Sequence, residues 1–180
     1  MDRSKVMVPE FYRGYLEKAG ADDLSGALRY STKQFRKRIK RIPRKKWDFA
    51  YAPGKWTLKQ MLQHIIDTER VFLFRALWFA RKDPSPLPGF DENAWAMQAE
   101  INDRPWSSLV DEFLTLRKST VQFFDSLNEG ILMREGNANQ HSISVAALGF
   151  LCSGHLMHHL DIIDHFYLPG KKKPSPKKPK

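Results

Sequence analysis

SVAALGFLCSGHLMHHLDII, residues 144–163, decides how the rest of the chain is read. It is apolar, free of proline and long enough for about five helical turns. Leu148, Cys152, His155, His159, Ile162 and Phe166 recur in steps of four and three, which is the rhythm of one buried helix face. His155 and His159 therefore stand at core positions one turn apart. The predicted helix runs from about 144 to 167, opened by Ser142 or Ser144 and closed by Pro169-Gly170.

Three other segments share this rhythm. Leu24, Leu28, Phe35, Ile39 and Ile42 mark a helix over about 24–42, ended by Pro43. Leu58, Leu62, Ile65, Phe72, Ala76 and Phe79 mark a second over about 57–81, with Thr57 at its cap and Pro84 beyond its end. Leu109, Phe113, Leu116, Thr120, Phe123 and Leu127 mark a third over about 106–128. A short helix is expected around 9–19. The stretches DPSPLPGF (83–90) and EGNANQHS (135–142) read as turn-rich connectors, and no segment reads as a strand. Four amphipathic helices of similar length imply an all-α four-helix bundle, formed as a single domain over residues 1–170.

A chain of 180 residues with five Trp and twelve Phe can bury one substantial core. No apolar run reaches the length of a membrane span, and MDRSKVMVPEF has no apolar segment of a secretory signal. The single cysteine, Cys152, excludes an internal disulfide framework and suits a reducing compartment, so the cytoplasm is the expected location. The net charge of +10 is concentrated: KKKPSPKKPK at 171–180 carries six lysines and no acid. Lysine and proline without apolar residues predict a disordered basic tail. KQFRKRIKRIPRKK at 33–46 reads as a solvated helix face. The chain has no zinc-finger spacing, RNP-like motif or glycine-rich phosphate loop, so nucleic acid is not the expected partner.

Two imidazoles four residues apart on an apolar seam are either hydrogen-bonded packing groups or ligands that share a metal. His64, on the edge of the apolar face of the 57–81 helix, supplies a third ligand from a facing helix. Three protein ligands leave coordination positions open for water or substrate, as catalytic metal sites do. Imidazole ligands suit zinc, nickel or ferrous iron equally. His158, His165 and His141 fall on the flank or surface, and Cys152 reads as a small core residue. Asp67, one turn beyond His64, is a candidate base or orienting carboxylate. Glu69 falls on the apolar seam and needs a partner, for which Arg70, Arg75 and Arg117 are candidates; an ion-pair network fixing bundle register is the favoured reading. Trp56, Trp95 and Phe90 pack the bundle end or wall a pocket.

Four pieces, in order, carry a family resemblance: YAPGKWTLKQMLQHIIDTERVFLFRAL (51–77), PLPGFDENAW (86–95), EFLTLRKSTVQFFDSL (112–127) around Arg117, and SVAALGFLCSGHLMHHLDII (144–163). Together they resemble the DinB/YfiT-like superfamily of metalloenzyme-like proteins, over about residues 24–168. The resemblance implies a four-helix bundle, a metal held by a second-helix histidine and a fourth-helix HxxxH pair, and a homodimer. By position these ligands are His64, His155 and His159. It also implies, for some members, transferase or isomerase chemistry with a low-molecular-weight thiol.

Four functions follow as alternatives. The first is a metal-dependent, thiol-using transferase, and the second a metal-dependent hydrolase on the same site. The third is a non-catalytic metal-binding or stress protein. The fourth is a basic nucleic-acid binder acting through 33–46 and the tail.

Overall fold

The computed structural model describes residues 1–168. In chain order the helices are α1 (Arg13–Glu17), α2 (Leu24–Ile39), α3 (Leu58–Ala80), α4 (Glu92–Gln98), α5 (Trp106–Asp125), α6 (Glu129–Leu132) and α7 (Val145–Ile162). A hairpin, β1 (Glu135–Ala138) with β2 (His141–Ser144), precedes α7. The long helices α2, α3, α5 and α7 form the expected four-helix bundle. The Pro169-Gly170 stop and the 171–180 tail lie outside the described residues.

The helix starts follow from capping chemistry. Thr57 and Gln60 form a reciprocal capping box on α3: the Gln60 amide donates to Thr57 Oγ1 at 3.2 Å, and the Thr57 amide to Gln60 Oε1 at 2.8 Å. Asp23 caps α2 by accepting from the Gly26 amide, and Ser144 caps α7 by accepting from that of Ala147.

Helix α7 is the axis of the molecule. Every residue from Val145 to Leu156 is buried, because α3, α2 and α1 pack around it. Gly154 makes the closest approach, since a Cβ there would overlap the Tyr15 carbonyl oxygen. The core divides into two apolar clusters, one with Phe72, Phe79 and Leu148, the other with Leu62, Ile66, Leu109 and Leu160. A layer of buried polar groups crosses the bundle between them. There Arg117 on α5 donates to Glu69 on α3 through Nε at 2.8 Å and Nη2 at 2.6 Å. Thr120 also donates to Glu69, while Ser31 and the carbonyls of Leu28 and Cys152 accept from Arg117. Burial disfavours the Arg117 cation, but Glu69 more than offsets this, so the guanidinium pKa is raised.

Three expectations need correction. The segment 135–142 is a hairpin arm rather than a plain connector: Asn139 and Gln140 have φ of 51° and 66°, the left-handed pair that a two-residue hairpin turn requires. The last turn of the fourth helix is π-helical over Ile163–Tyr167. The wider turn shifts the seam by one residue, burying Ile163 and Tyr167 while Phe166 is exposed. Finally, α4 and α6 are short helices in stretches to which the sequence rhythm assigns no helix.

Candidate metal centre

His64 projects from the second turn of α3, and His155 and His159 project one turn apart from α7, the helix that α3 packs against most extensively. The Nε2 atoms of His64 and His159 each lie 3.0 Å from Nε2 of His155. All three side chains are buried, and their ligand atoms lie within 4.8 Å of one another. Burial lowers the pKa of each, that of His64 to about 4, and the neighbouring imidazoles push His155 and His159 further down. The three rings are therefore neutral at pH 7, with lone pairs free to ligate.

The donor set fits a divalent ion. Imidazole nitrogens about 2.0–2.1 Å from a shared ion stand about 3 Å apart, which is the spacing of His64 and of His159 from His155. Among the described residues Nδ1 of His159 is buried without a hydrogen-bond partner, while its Nε2 is the atom that faces His155. Imidazole ligands accept zinc, nickel or ferrous iron.

Aromatic rings frame the cluster. Tyr15 meets His155 edge-on at 5.5 Å, and Phe72 meets it at 6.2 Å. The Trp56 ring lies 4.6 Å from His64, and the Tyr167 hydroxyl holds the Trp56 carbonyl at 2.5 Å. The histidines line one end of a cavity of about 370 Å³, whose other walls include Thr68, Arg75, Phe90 and Asn139.

The remaining expectations sort by position. Asp67 forms no hydrogen bond with the three histidines. It is three residues from His64 and hence rotated about 60° to the side. Its Oδ1 accepts from Gln63 at 2.8 Å and lies 3.7 Å from Arg70. Burial raises its pKa, and it faces a different surface hollow. Glu69 has its partner in Arg117, while Arg70 and Arg104 both pair with Glu112. Arg75 joins no such network. Cys152 is buried in the core, His158 is half-buried and His141 and His165 are exposed. Trp56 and Phe90 line the cavity; Trp95 stacks against Phe90 outside it. The sequence reading missed Tyr12, Tyr15, Thr68 and Asn139. Of these only Thr68, one turn after His64, stood at a spacing that could have revealed it.

The DinB superfamily model matches residues 27–163. A stretch of 53 residues is 36% identical to a protein of Oceanobacillus iheyensis named "Putative metal-dependent hydrolase". That match takes in 29% of this chain and spans only 30% of that relative's length. The fold is similar to that of YfiT from Bacillus subtilis, described as a probable metal-dependent hydrolase with an unusual four-helix bundle topology. The TM-score is 0.63 over 87% of this chain and 85% of that one, at 16% identity, so the likeness is one of fold. The family match runs from the first turn of α2 to the start of the π-helical turn and includes all three clustered histidines: the chain belongs to the DinB superfamily.

Proposed function

We propose that this protein is a metal-dependent transferase in which His64, His155 and His159 hold a divalent ion and a small thiol is the nucleophile. The convergence of three neutral Nε2 atoms at the end of a walled cavity carries this reading. A divalent ion held by these three histidines would keep a coordinated thiol deprotonated at neutral pH, and the thiolate is the nucleophilic form.

The chain's own residues support an external thiol. The Cys152 thiol is buried, and burial together with Glu69 pushes its pKa well above the usual range, so it offers no nucleophile. Asp67 faces away. Among the described residues, the one carboxylate lining the cavity is Glu92, which is exposed. A bound ion would acidify a coordinated water as well as a thiol, but the thiol starts from the lower pKa and loses its proton more readily at neutral pH without a base beside it. Tyr15, Phe72 and Trp56 keep solvent from the sides of the cluster and orient the acceptor.

Hydrolysis on the same site is the second reading, supported by the descriptions of the two relatives. Elemental analysis of the purified protein beside a His155→Ala, His159→Ala variant tests the site. A stoichiometric metal in the wild type that is absent from the variant is the expected result, and equal content sinks the assignment. The loaded protein is then screened with small thiols and electrophilic acceptors. Turnover that requires the thiol supports transfer; chelator-sensitive turnover of esters or amides without thiol supports hydrolysis.

A further inference from the structure

The bundle contains two deeply buried arginines with opposite surroundings. Arg117 is saturated by Glu69, Ser31 and two carbonyls. Arg75 is 4% exposed, yet among the described residues no carboxylate lies within 4.0 Å of its guanidinium. Its one strong bond goes from Nη2 to the Pro88 carbonyl at 2.8 Å. Tyr12 lines the same cavity, and the Phe90 ring centre is 6.0 Å away. A guanidinium has five N–H donors and is always charged. Burying it without a counter-charge is costly, and a structural role for the Pro88 bond alone leaves that cost standing.

A second orphan lies nearby. Thr68 is 3% exposed, and among the described residues its Oγ1 has no hydrogen-bond partner. His64, Thr68, Phe72 and Arg75 form one stripe along α3, and all four line the same cavity. Arg75 is three helical turns beyond His64, about 16 Å along the axis. The N-terminal lean that long helical side chains adopt would shorten that span to roughly 10 Å. The cavity thus has histidines at one end, an unpaired cation at the other and a free hydroxyl between them.

We propose that this cavity selects an elongated anionic substrate, whose carboxylate pairs with Arg75 beside Tyr12 while its reacting end lies at the three histidines. The proposal rests on the metal-site reading for the identity of the reacting end only. The carboxylate supplies the counter-charge that Arg75 lacks, and the Thr68 hydroxyl donates to a polar atom along the substrate. The loop 87–90 sets the subsite: Leu87 bonds the hairpin through Asn137 and Asn139, which fixes the Pro88 carbonyl against Arg75. Glu92 lines the same cavity but is exposed, and among the described residues no ion pair joins it to Arg75.

Isothermal titration of the full-length zinc-loaded protein with 6-mercaptohexanoate and 6-mercaptohexanol tests this. The carboxylate is expected to bind about tenfold to a hundredfold tighter than the alcohol. That preference should vanish in Arg75→Gln and persist in part in Arg75→Lys, with zinc content unchanged in both. Thr68→Val should leave both ligands' binding nearly unchanged, because neither probe carries a polar atom between its ends for the Thr68 hydroxyl to meet. A preference that is absent from the wild type, or undiminished in Arg75→Gln, overturns the proposal. Hexanoate, titrated with saturating 2-mercaptoethanol, locates the carboxylate. Arg75-dependent binding there places it on the acceptor; dependence seen only with 6-mercaptohexanoate places it on the thiol. In the His155→Ala, His159→Ala variant, hexanoate should still bind better than hexanol. If the wild type holds no metal but keeps that preference, the metal reading fails and the anion subsite stands.

Discussion

The Tyr167 hydroxyl donates to the Trp56 carbonyl across 2.5 Å, joining the π-helical turn that ends α7 to the segment that enters α3. Burial, with Tyr51 beside it, pushes the Tyr167 pKa up to about 12, so it remains a donor throughout the physiological range. Trp56 in turn lies over His64. Removing the hydroxyl with Tyr167→Phe should cost about 1 kcal/mol, read from urea unfolding. It should also make tryptophan emission more accessible to acrylamide. Unchanged quenching would show that the bond does not hold Trp56 in place.

The Glu69–Arg117 pair should be strongly coupled. Glu69→Gln or Arg117→Met alone leaves a buried group uncompensated and should each cost about 3–5 kcal/mol. A Glu69→Leu, Arg117→Met double variant should recover much of that loss. Costs that simply add in a double-mutant cycle would refute the coupling.

The metal-free protein should lose stability in mild acid. His64 has a folded-state pKa of about 4 against 6.5 for the free side chain. Between those values the unfolded chain binds the proton and the folded chain does not. Stability is therefore highest above pH 6.5 and falls as pH drops toward 4, by about 3 kcal/mol from His64 alone. His155 and His159 act in the same direction. Urea midpoints measured between pH 7.5 and 4.5 check this, and His64→Phe should flatten the curve. A wild-type midpoint independent of pH over that range would contradict the neutral buried imidazoles.

Gly154→Ala should push α1 from α7, because the new methyl group meets backbone at Tyr15 and cannot be relieved by a side-chain rotation. The expected cost is about 1–3 kcal/mol in thermal or urea unfolding. Tyr15 packs on His155, so the displacement should also weaken metal retention in a chelator competition. Full retention with lowered stability would separate the α1 contact from the site.

The four long helices were legible because each bears a three-four apolar rhythm, and the ends of α3 and α7 because Thr57 and Ser144 are strong caps. The histidine trio was legible because His155 and His159 break an apolar seam at one-turn spacing. Asp67 was misleading for a physical reason. A shift of three residues and one of four both count as one turn, but they differ by about 100° of rotation, and only the four-residue step to Thr68 reaches the cavity.

The sequence by itself determined the helices, their buried faces and three histidines suited to a metal, because periodicity records which face of a helix avoids water. Tertiary structure alone decided what stands opposite each face. The rotation of α3 against α7 brings His64 Nε2 to 3.0 Å from that of His155. The packing of α5 gives Glu69 its arginine, and the 87–90 loop against the hairpin leaves Arg75 buried without one. These pairings join residues as far as 91 positions apart in the chain. Side-chain packing across the bundle selects them, and no local spacing encodes them.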